Sequence, residues 1–110
     1  MNLQEKSCEP CKGGVLPLNE AEASALLIDT PGWSLIDNNK KLERTYKFSD
    51  FADALNLAVK AANIAEKEGH HPDITFGWGY CTILFYTHKI NGLHENDFIM
   101  AAKINILAES

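Results

Sequence analysis

The apolar and polar positions along the chain predict three helices separated by two pairs of strands. The strongest helical pattern covers residues 51–68, where apolar side chains recur at steps of three and four. Ser49 and Asp50 precede this stretch as helix-start residues, and Gly69 follows it as a helix stop. The expected buried stripe of this helix consists of Phe51, Leu55, Ala58, Ala62 and Ala65.

Two shorter helices are predicted nearer the ends of the chain. The first starts at Asn19, because Asn19 and Glu22 have the spacing of a capping box, and the Thr-Pro-Gly sequence at 30–32 ends it. The last helix covers residues 94–107, after a turn at Asn91-Gly92. Its expected inner face consists of Phe98, Ala101, Ala102, Asn105 and Ile106.

Two hairpins are predicted between these helices. Residues 33–36 and 42–48 flank a polar turn, and the second strand alternates apolar and polar positions, with Arg44 interrupting its apolar face. Residues 74–87 are rich in β-branched and aromatic side chains and should turn near Gly79. The resulting α-β-β-α-β-β-α order predicts an α+β fold with helices on one face of a sheet.

The length of 110 residues is enough for one hydrophobic core and too short for two. Residues 1–18 are polar and contain two Pro and two Gly, so we expect a loosely ordered N-terminal arm followed by one domain at residues 19–110.

Charge and hydropathy disfavour two classes of partner. The net charge is −5 and no Lys/Arg cluster stands out, whereas nucleic-acid binding needs a basic surface. The longest strongly apolar run, residues 81–86, is far shorter than the roughly 20 residues that span a bilayer. The first residues lack the apolar segment of a signal peptide, and the three cysteines are an odd set, so we expect a cytoplasmic protein with reduced thiols.

Candidate chemistry outside the histidines is weak. Cys8 and Cys11 form a Cys-x-x-Cys pair, but a structural zinc site needs four ligands and no second pair is present in the sequence. Cys81 alternates within a strand and is expected in the core. Trp33 is expected to be structural, with stacking on a ligand as the alternative, and His94 is expected at the surface.

Three histidines are the strongest candidates for a site. His70 and His71 lie at a helix exit before Pro72, and His88 follows the last strand. Neutral histidines exchange protons near pH 7, which suits acid–base catalysis. A strand of about eight residues spans roughly 26 Å, so His88 reaches the pair only if folding brings the chain back. On local evidence, a purely structural role for the histidines stays open.

These histidines belong to a longer motif. It consists of Glu66, His70-His71-Pro72, Trp78, Thr87-His88, Gly92-Leu93 and Asp97. In these residues, and more weakly over residues 19–108, the chain resembles the pterin-4a-carbinolamine dehydratases, also known as the dimerization-cofactor family. Gly79 and His94 depart from the family pattern, but neither departure removes a histidine. Asp97 is expected either to cap the last helix or to touch the site.

The resemblance implies a four-stranded antiparallel sheet backed by helices, in agreement with the predicted order of elements. It implies that His70, His71 and His88 surround the pterin as catalytic residues. The substrate-binding residues that it implies are Glu66, Gly69, Tyr86, Thr87 and Lys89.

The implied activity is that of a hydro-lyase, 4a-hydroxytetrahydrobiopterin dehydratase, which needs no metal and no cofactor. The family recycles the pterin of aromatic amino acid hydroxylases and forms homodimers or homotetramers. Two other interpretations stay open, a non-catalytic assembly or dimerization partner on the same fold and a metal-binding protein lined by histidines. The physiological pterin, the subunit number and the division of acid and base roles also stay open.

Overall fold

The computed structural model describes residues 2–9 and 15–109 and confirms the predicted α+β fold and order of elements. The helices are α1 (Glu20–Leu27), α2 (Phe51–Glu68) and α3 (Glu95–Glu109). The strands are β1 (Ser34–Ile36), β2 (Lys41–Lys47), β3 (Asp73–Gly77) and β4 (Tyr80–Phe85). They form one antiparallel sheet in the order β1-β2-β4-β3. Two short 3-10 turns, Leu3–Glu5 and His88–Ile90, were not predicted.

The helix ends follow from local side chains. Asn19 caps α1 through the predicted capping box with Glu22. At α2, the Asp50 carboxylate accepts the main-chain N–H of Asp53. Gly69 ends α2 in the left-handed conformation, with φ of 69°, which turns the chain sharply away from the helix axis.

The helices cover one face of the sheet, and the core lies between the two layers. Along β4, Cys81, Ile83 and Phe85 are fully buried, whereas the residues between them are partly exposed. Register places Phe85 opposite Leu42 and Cys81 opposite Tyr46, so the apolar faces of β2 and β4 are continuous. This alternation confirms the pattern predicted for the strands.

The buried face of α2 differs from the predicted stripe. It consists of Ala54, Leu57, Ala58, Ala61 and Ala65. Phe51 and Leu55 were expected inside but are 46% and 38% exposed, and Ala62 is also exposed. Four of the five buried residues are alanines, and small side chains let a helix lie close to the sheet. Phe51, Leu55 and Val59 therefore face outward on the neighbouring side of α2, whereas Leu57 is buried.

A buried asparagine explains why Arg44 interrupts the apolar face of β2. The Oδ1 atom of Asn105 accepts hydrogen bonds from the Trp33 indole at 2.9 Å, the Arg44 guanidinium at 2.8 Å and the Tyr46 hydroxyl. Arg44 also donates to the main-chain oxygen of Pro31 at 2.9 Å. Arg44 therefore joins β2, α3 and the loop after α1, and Trp33 is a core residue as expected.

The first residues contact α3. Leu3 is buried in the core, and Cys8 and Glu9 bond to side chains of α2 and α3. The division between an arm and a domain at residue 18 stays a prediction. Among the described residues, none of the helices has both the length and the apolarity needed to cross a bilayer.

Candidate active site

The β3–β4 hairpin brings the two ends of the histidine motif together. Asp73, the first residue of β3, pairs with Leu84, next to the end of β4. His70 and His71 come just before β3, and residues 86–88 come just after β4. Because the strands are antiparallel, these two segments lie at the same end of the sheet.

A cleft of about 430 Å³ opens between these two segments. It is lined by Gly69, His70, His71, Tyr86, Thr87, His88 and Lys89. Its volume is in the range of sites for small organic ligands. A larger cleft of about 530 Å³ lies between the first residues and the start of α3, but His94 is the one histidine lining it. The structure therefore gathers all three predicted histidines around one cleft.

His70 is the most rigidly held of the three. Its side chain is only 12% exposed, and its Nε2 atom lies 2.6 Å from Oδ1 of Asp97. Its ring stacks on Phe85, with centroids 5.9 Å apart and an interplanar angle of 6°. Ring position and rotation are therefore both constrained, and Nδ1 is the ring nitrogen that Asp97 does not engage.

Asp97 combines the two roles that the sequence left as alternatives. Its side chain is fully buried, and Oδ2 accepts the Thr87 hydroxyl at 2.8 Å and the main-chain N–H of His94 at 3.0 Å. The second bond caps α3, while Oδ1 faces His70. A carboxylate that accepts at both oxygens is best matched by a donor at Nε2 of His70, which leaves Nδ1 as the proton acceptor.

His71 forms a second histidine–carboxylate pair, with Nε2 2.5 Å from Oε1 of Glu66. This pair is open to solvent, since the side chains are 59% and 80% exposed. Glu66 does not line the cleft, so its contact with any ligand would run through His71.

His88 lines the same cleft from the segment that follows β4. Its ring is exposed and packs against Tyr86, with centroids 4.1 Å apart. The Lys41 ammonium lies 4.8 Å from the centre of the same Tyr86 ring. Tyr86 therefore orients His88 at the cleft and links it to β2.

Other predicted candidates lie outside the cleft. Trp78 is 72% exposed on the β3–β4 turn. His94, expected as a surface residue, is half-buried, and its Nδ1 accepts the main-chain N–H of Asn96 at 3.0 Å. Cys81 is buried in the core as expected, and the Cys8–Cys11 pair cannot be placed because Cys11 lies outside the described residues.

The arrangement suits proton transfer. Three imidazoles line one cleft, and one of them is oriented by a buried carboxylate. Within the described part of the chain, no three His, Cys, Asp or Glu side chains are grouped as ligands for a metal ion.

Sequence comparison connects this site to known proteins. Residues 16–107 match the profile of a family described as pterin 4 alpha carbinolamine dehydratase. A Methylococcus capsulatus protein, provisionally named as such a dehydratase, is 56% identical over 97% of this chain and 94% of its own. A Cupriavidus pinatubonensis protein with the same provisional name is 52% identical over 96% of this chain and 91% of its own.

Two solved structures share the fold. One is a transcriptional coactivator/pterin dehydratase from Brucella melitensis, with a TM-score of 0.78 and 35% identity over 84% of this chain and 98% of its own. The other is a pterin dehydratase-like protein identified as a RuBisCO assembly factor in the alpha-carboxysome. It has a TM-score of 0.62 and 25% identity over 72% of this chain and 92% of its own.

Proposed function

Because this chain belongs to the pterin-4a-carbinolamine dehydratase family, we propose that it converts a 4a-hydroxytetrahydropterin to the quinonoid dihydropterin and water. The observation that carries the proposal is the cleft that has His70, His71 and His88 in its walls. We further propose a role in the cytoplasm, recycling the pterin cofactor of an aromatic amino acid hydroxylase.

The reaction needs only proton transfers. The hydroxyl at C4a leaves as water after it gains a proton, the N5 proton is removed, and the N5 lone pair forms the new double bond. An imidazole near its ordinary pKa can donate or accept such protons at neutral pH. No metal or covalent nucleophile enters this scheme.

The three histidines have different proposed roles. His70 is the proposed acid–base residue, exchanging a proton through Nδ1 while Asp97 holds Nε2. His88 is proposed to handle the second proton in the same cleft. His71, exposed and paired with Glu66, is proposed to hold the pterin ring. The main chain at Gly69 and the residues Tyr86, Thr87 and Lys89 are proposed to contact the ring edge.

The test is a stopped-flow dehydration assay on the wild-type protein beside His70→Ala and His88→Ala. Each variant is expected to lose about 10²- to 10⁴-fold in kcat, the usual contribution of a positioned acid–base group. Trp78→Ala, an exposed substitution outside the cleft, is the control and is expected to keep its kcat. Wild-type rates in both histidine variants, or loss of activity on adding a chelator, would contradict the mechanism.

A non-catalytic assembly role is the alternative. It is supported by the structural neighbour identified as a RuBisCO assembly factor. The complete set of histidines around the cleft favours the enzyme, because an assembly partner has no use for an oriented His70–Asp97 pair. A wild-type protein with no dehydratase activity on any 4a-hydroxytetrahydropterin would favour the alternative.

We also propose that the chain forms a homodimer or homotetramer. Phe51, Leu55 and Val59 lie four residues apart on the outer face of α2, and each is between 38% and 49% exposed. The Phe51 ring contacts Phe76 of β3, with centroids 5.6 Å apart, and extends this apolar surface onto the sheet. Contiguous exposed apolar surface is typical of an interaction site.

A further inference from the structure

The first residues of the chain bond to both helices that hold the His70–Asp97 pair. The main-chain N–H of Cys8 donates to Oε1 of Glu68 at 2.8 Å. Glu68 is the last residue of α2 and stands two positions before His70. Its side chain is only 11% exposed, so this bond is largely shielded from water.

The next residue bonds to α3. The main-chain N–H of Glu9 donates to Oδ1 of Asn96 at 3.0 Å, and the Asn96 amide donates back to the Glu9 main-chain oxygen at 2.6 Å. Asn96 is 1% exposed and immediately precedes Asp97. The two bonds give a partner to the main-chain N–H and oxygen of Glu9 and to the amide oxygen and nitrogen of Asn96. A buried amide needs such partners.

Further contacts hold the same segment. Leu3 is buried in the core. Lys103 of α3 donates to the main-chain oxygen of Gln4 at 3.0 Å and lies 4.0 Å from Oε2 of Glu68. The Cys8 thiol points at the Asn96 main-chain oxygen, with sulfur and oxygen 3.8 Å apart. The contacts of Cys8 and Glu9 thus lie within two residues of the proposed catalytic pair, and those of Leu3 and Gln4 hold the rest of the segment.

We propose that residues 3–9 act as a strap that joins the end of α2 to the start of α3 and thereby fixes the distance between His70 and Asp97. In this proposal Glu68 and Asn96 are positioning residues, because they act through their neighbours and do not touch the cleft. The inference rests on the proposed function, since His70 matters as the acid–base group of that reaction.

Cys8 supplies a direct readout of strap docking. Burial, followed by the nearby Glu68 carboxylate, raises the pKa of the Cys8 thiol from 9.0 to about 12. Because the thiolate is the reactive form, a docked Cys8 should alkylate slowly at pH 8, and a released one should react at the rate of an ordinary thiol. Cys81 is fully buried, and a Cys11→Ser background removes the remaining thiol.

The experiment compares Glu68→Ala with Glu68→Gln. Glu68→Ala removes the acceptor of the Cys8 N–H, so alkylation should speed up at least tenfold. The kcat should fall about tenfold, with KM nearly constant. This loss in kcat is smaller than the ~10²-fold loss that a 1 Å misplacement can cause. Glu68→Gln keeps an acceptor oxygen and should stay within about twofold of wild type in kcat. Because it also removes the charge that helps to raise the pKa of the Cys8 thiol, its alkylation should be faster than in the wild type but slower than in Glu68→Ala. Lys67→Ala, at the exposed position just before Glu68 in α2, is the matched control and should change neither.

A second variant covers the case in which Glu68→Ala does not fold. Glu9→Pro removes the N–H that Asn96 accepts and leaves α2 and α3 unchanged in sequence, so it should give the same pair of effects. In Glu68→Ala and Glu9→Pro, faster alkylation with unchanged kcat would overturn the strap, and so would unchanged alkylation in both variants.

A spectroscopic measurement separates failure of the strap from failure of the proposed function. The Nε2–H proton of His70, held by Asp97, should give an exchange-protected NMR signal in the wild type that broadens or disappears in Glu68→Ala and Glu9→Pro. A wild-type protein without dehydratase activity would end the proposed function while this signal still tests the strap. If the signal persists in Glu68→Ala and Glu9→Pro variants whose Cys8 has become reactive, the strap proposal fails and the proposed function is unaffected.

Discussion

Each of the paired histidines at the end of α2 contacts a carboxylate, but the two pairs differ in burial. Asp97 is fully buried and His70 is 12% exposed, whereas His71 and Glu66 are both largely exposed. An exposed ion pair contributes little because water screens it, whereas a buried carboxylate without its donor is costly. The same pairing of residue types therefore has different consequences at the two positions.

This difference predicts unequal effects of two similar substitutions. Asp97→Asn removes the charged acceptor that orients His70, so we expect kcat to fall about 10- to 100-fold, part of what a positioned acid–base group contributes. Glu66→Gln should lower kcat by less than about fivefold, because the pair it weakens is exposed. The stopped-flow assay measures both, at a temperature where circular dichroism shows each variant folded. Equal losses in the two variants would contradict the role given to Asp97.

At the scale of the secondary-structure elements, the sharp end of α2 sets the direction of the histidine pair. Gly69 has a φ of 69°, and a Cβ atom added there would meet nothing within 4 Å. Any cost of a substitution at this position is therefore backbone strain and not a steric clash. The chain leaves α2 at this residue and reaches Asp73 of β3 four residues later, so His70 and His71 are held between two fixed ends.

Gly69→Ala is expected to lower the free energy of unfolding by about 1 kcal/mol, the usual cost of a left-handed conformation with a Cβ atom. Gly69→Asn should cost less, because asparagine tolerates this conformation. Urea denaturation of the three proteins measures the difference. If the wild type and Gly69→Ala have identical urea midpoints, the end of α2 must shift to relieve the strain. The kcat should then change, because His70 moves with it.

For the whole molecule, the unusual feature is an apolar surface formed by α2 and β3. Four alanines and Leu57 form the core face of α2, and this leaves Leu55 and Val59 on the outside. Burying such surface in a subunit interface contributes about 25 cal/mol per Å² of apolar area. The exposed side of α2 is therefore the proposed contact between subunits.

The double substitution Leu55→Asp with Val59→Asp is expected to reduce the protein to a monomer, because two carboxylates would be buried at the interface without partners. Size-exclusion chromatography with light scattering gives the mass. Lys60→Asp, at a neighbouring exposed position that is charged already, is the control and should keep the wild-type mass. A monomeric wild-type protein, or an unchanged mass in the double variant, would rule out this surface as the interface.

The sequence by itself determined the elements of this protein and their order. Capping residues such as Asn19 and Asp50, the stop at Gly69 and the alternation along β4 act over a few residues, so their effect can be predicted locally. The histidine motif contains four of the residues that line the cleft, namely His70, His71, Thr87 and His88, and the family resemblance implied the other three. The predicted stripe of α2 was right at Ala58 and Ala65 and wrong at Phe51, Leu55 and Ala62, because helical spacing alone does not say whether large or small apolar residues face the sheet.

Only the tertiary structure decided how these residues meet. Antiparallel pairing of β3 with β4 returns the chain to the end of the sheet where it started, so His88 and His70 line one cleft. It also decided that Asp97 both caps α3 and holds His70, and that the first residues bond to Glu68 and Asn96. Apart from the cap, which joins residues three positions apart, these contacts join residues 27 to 87 positions apart, and no local pattern in the sequence encodes such separations.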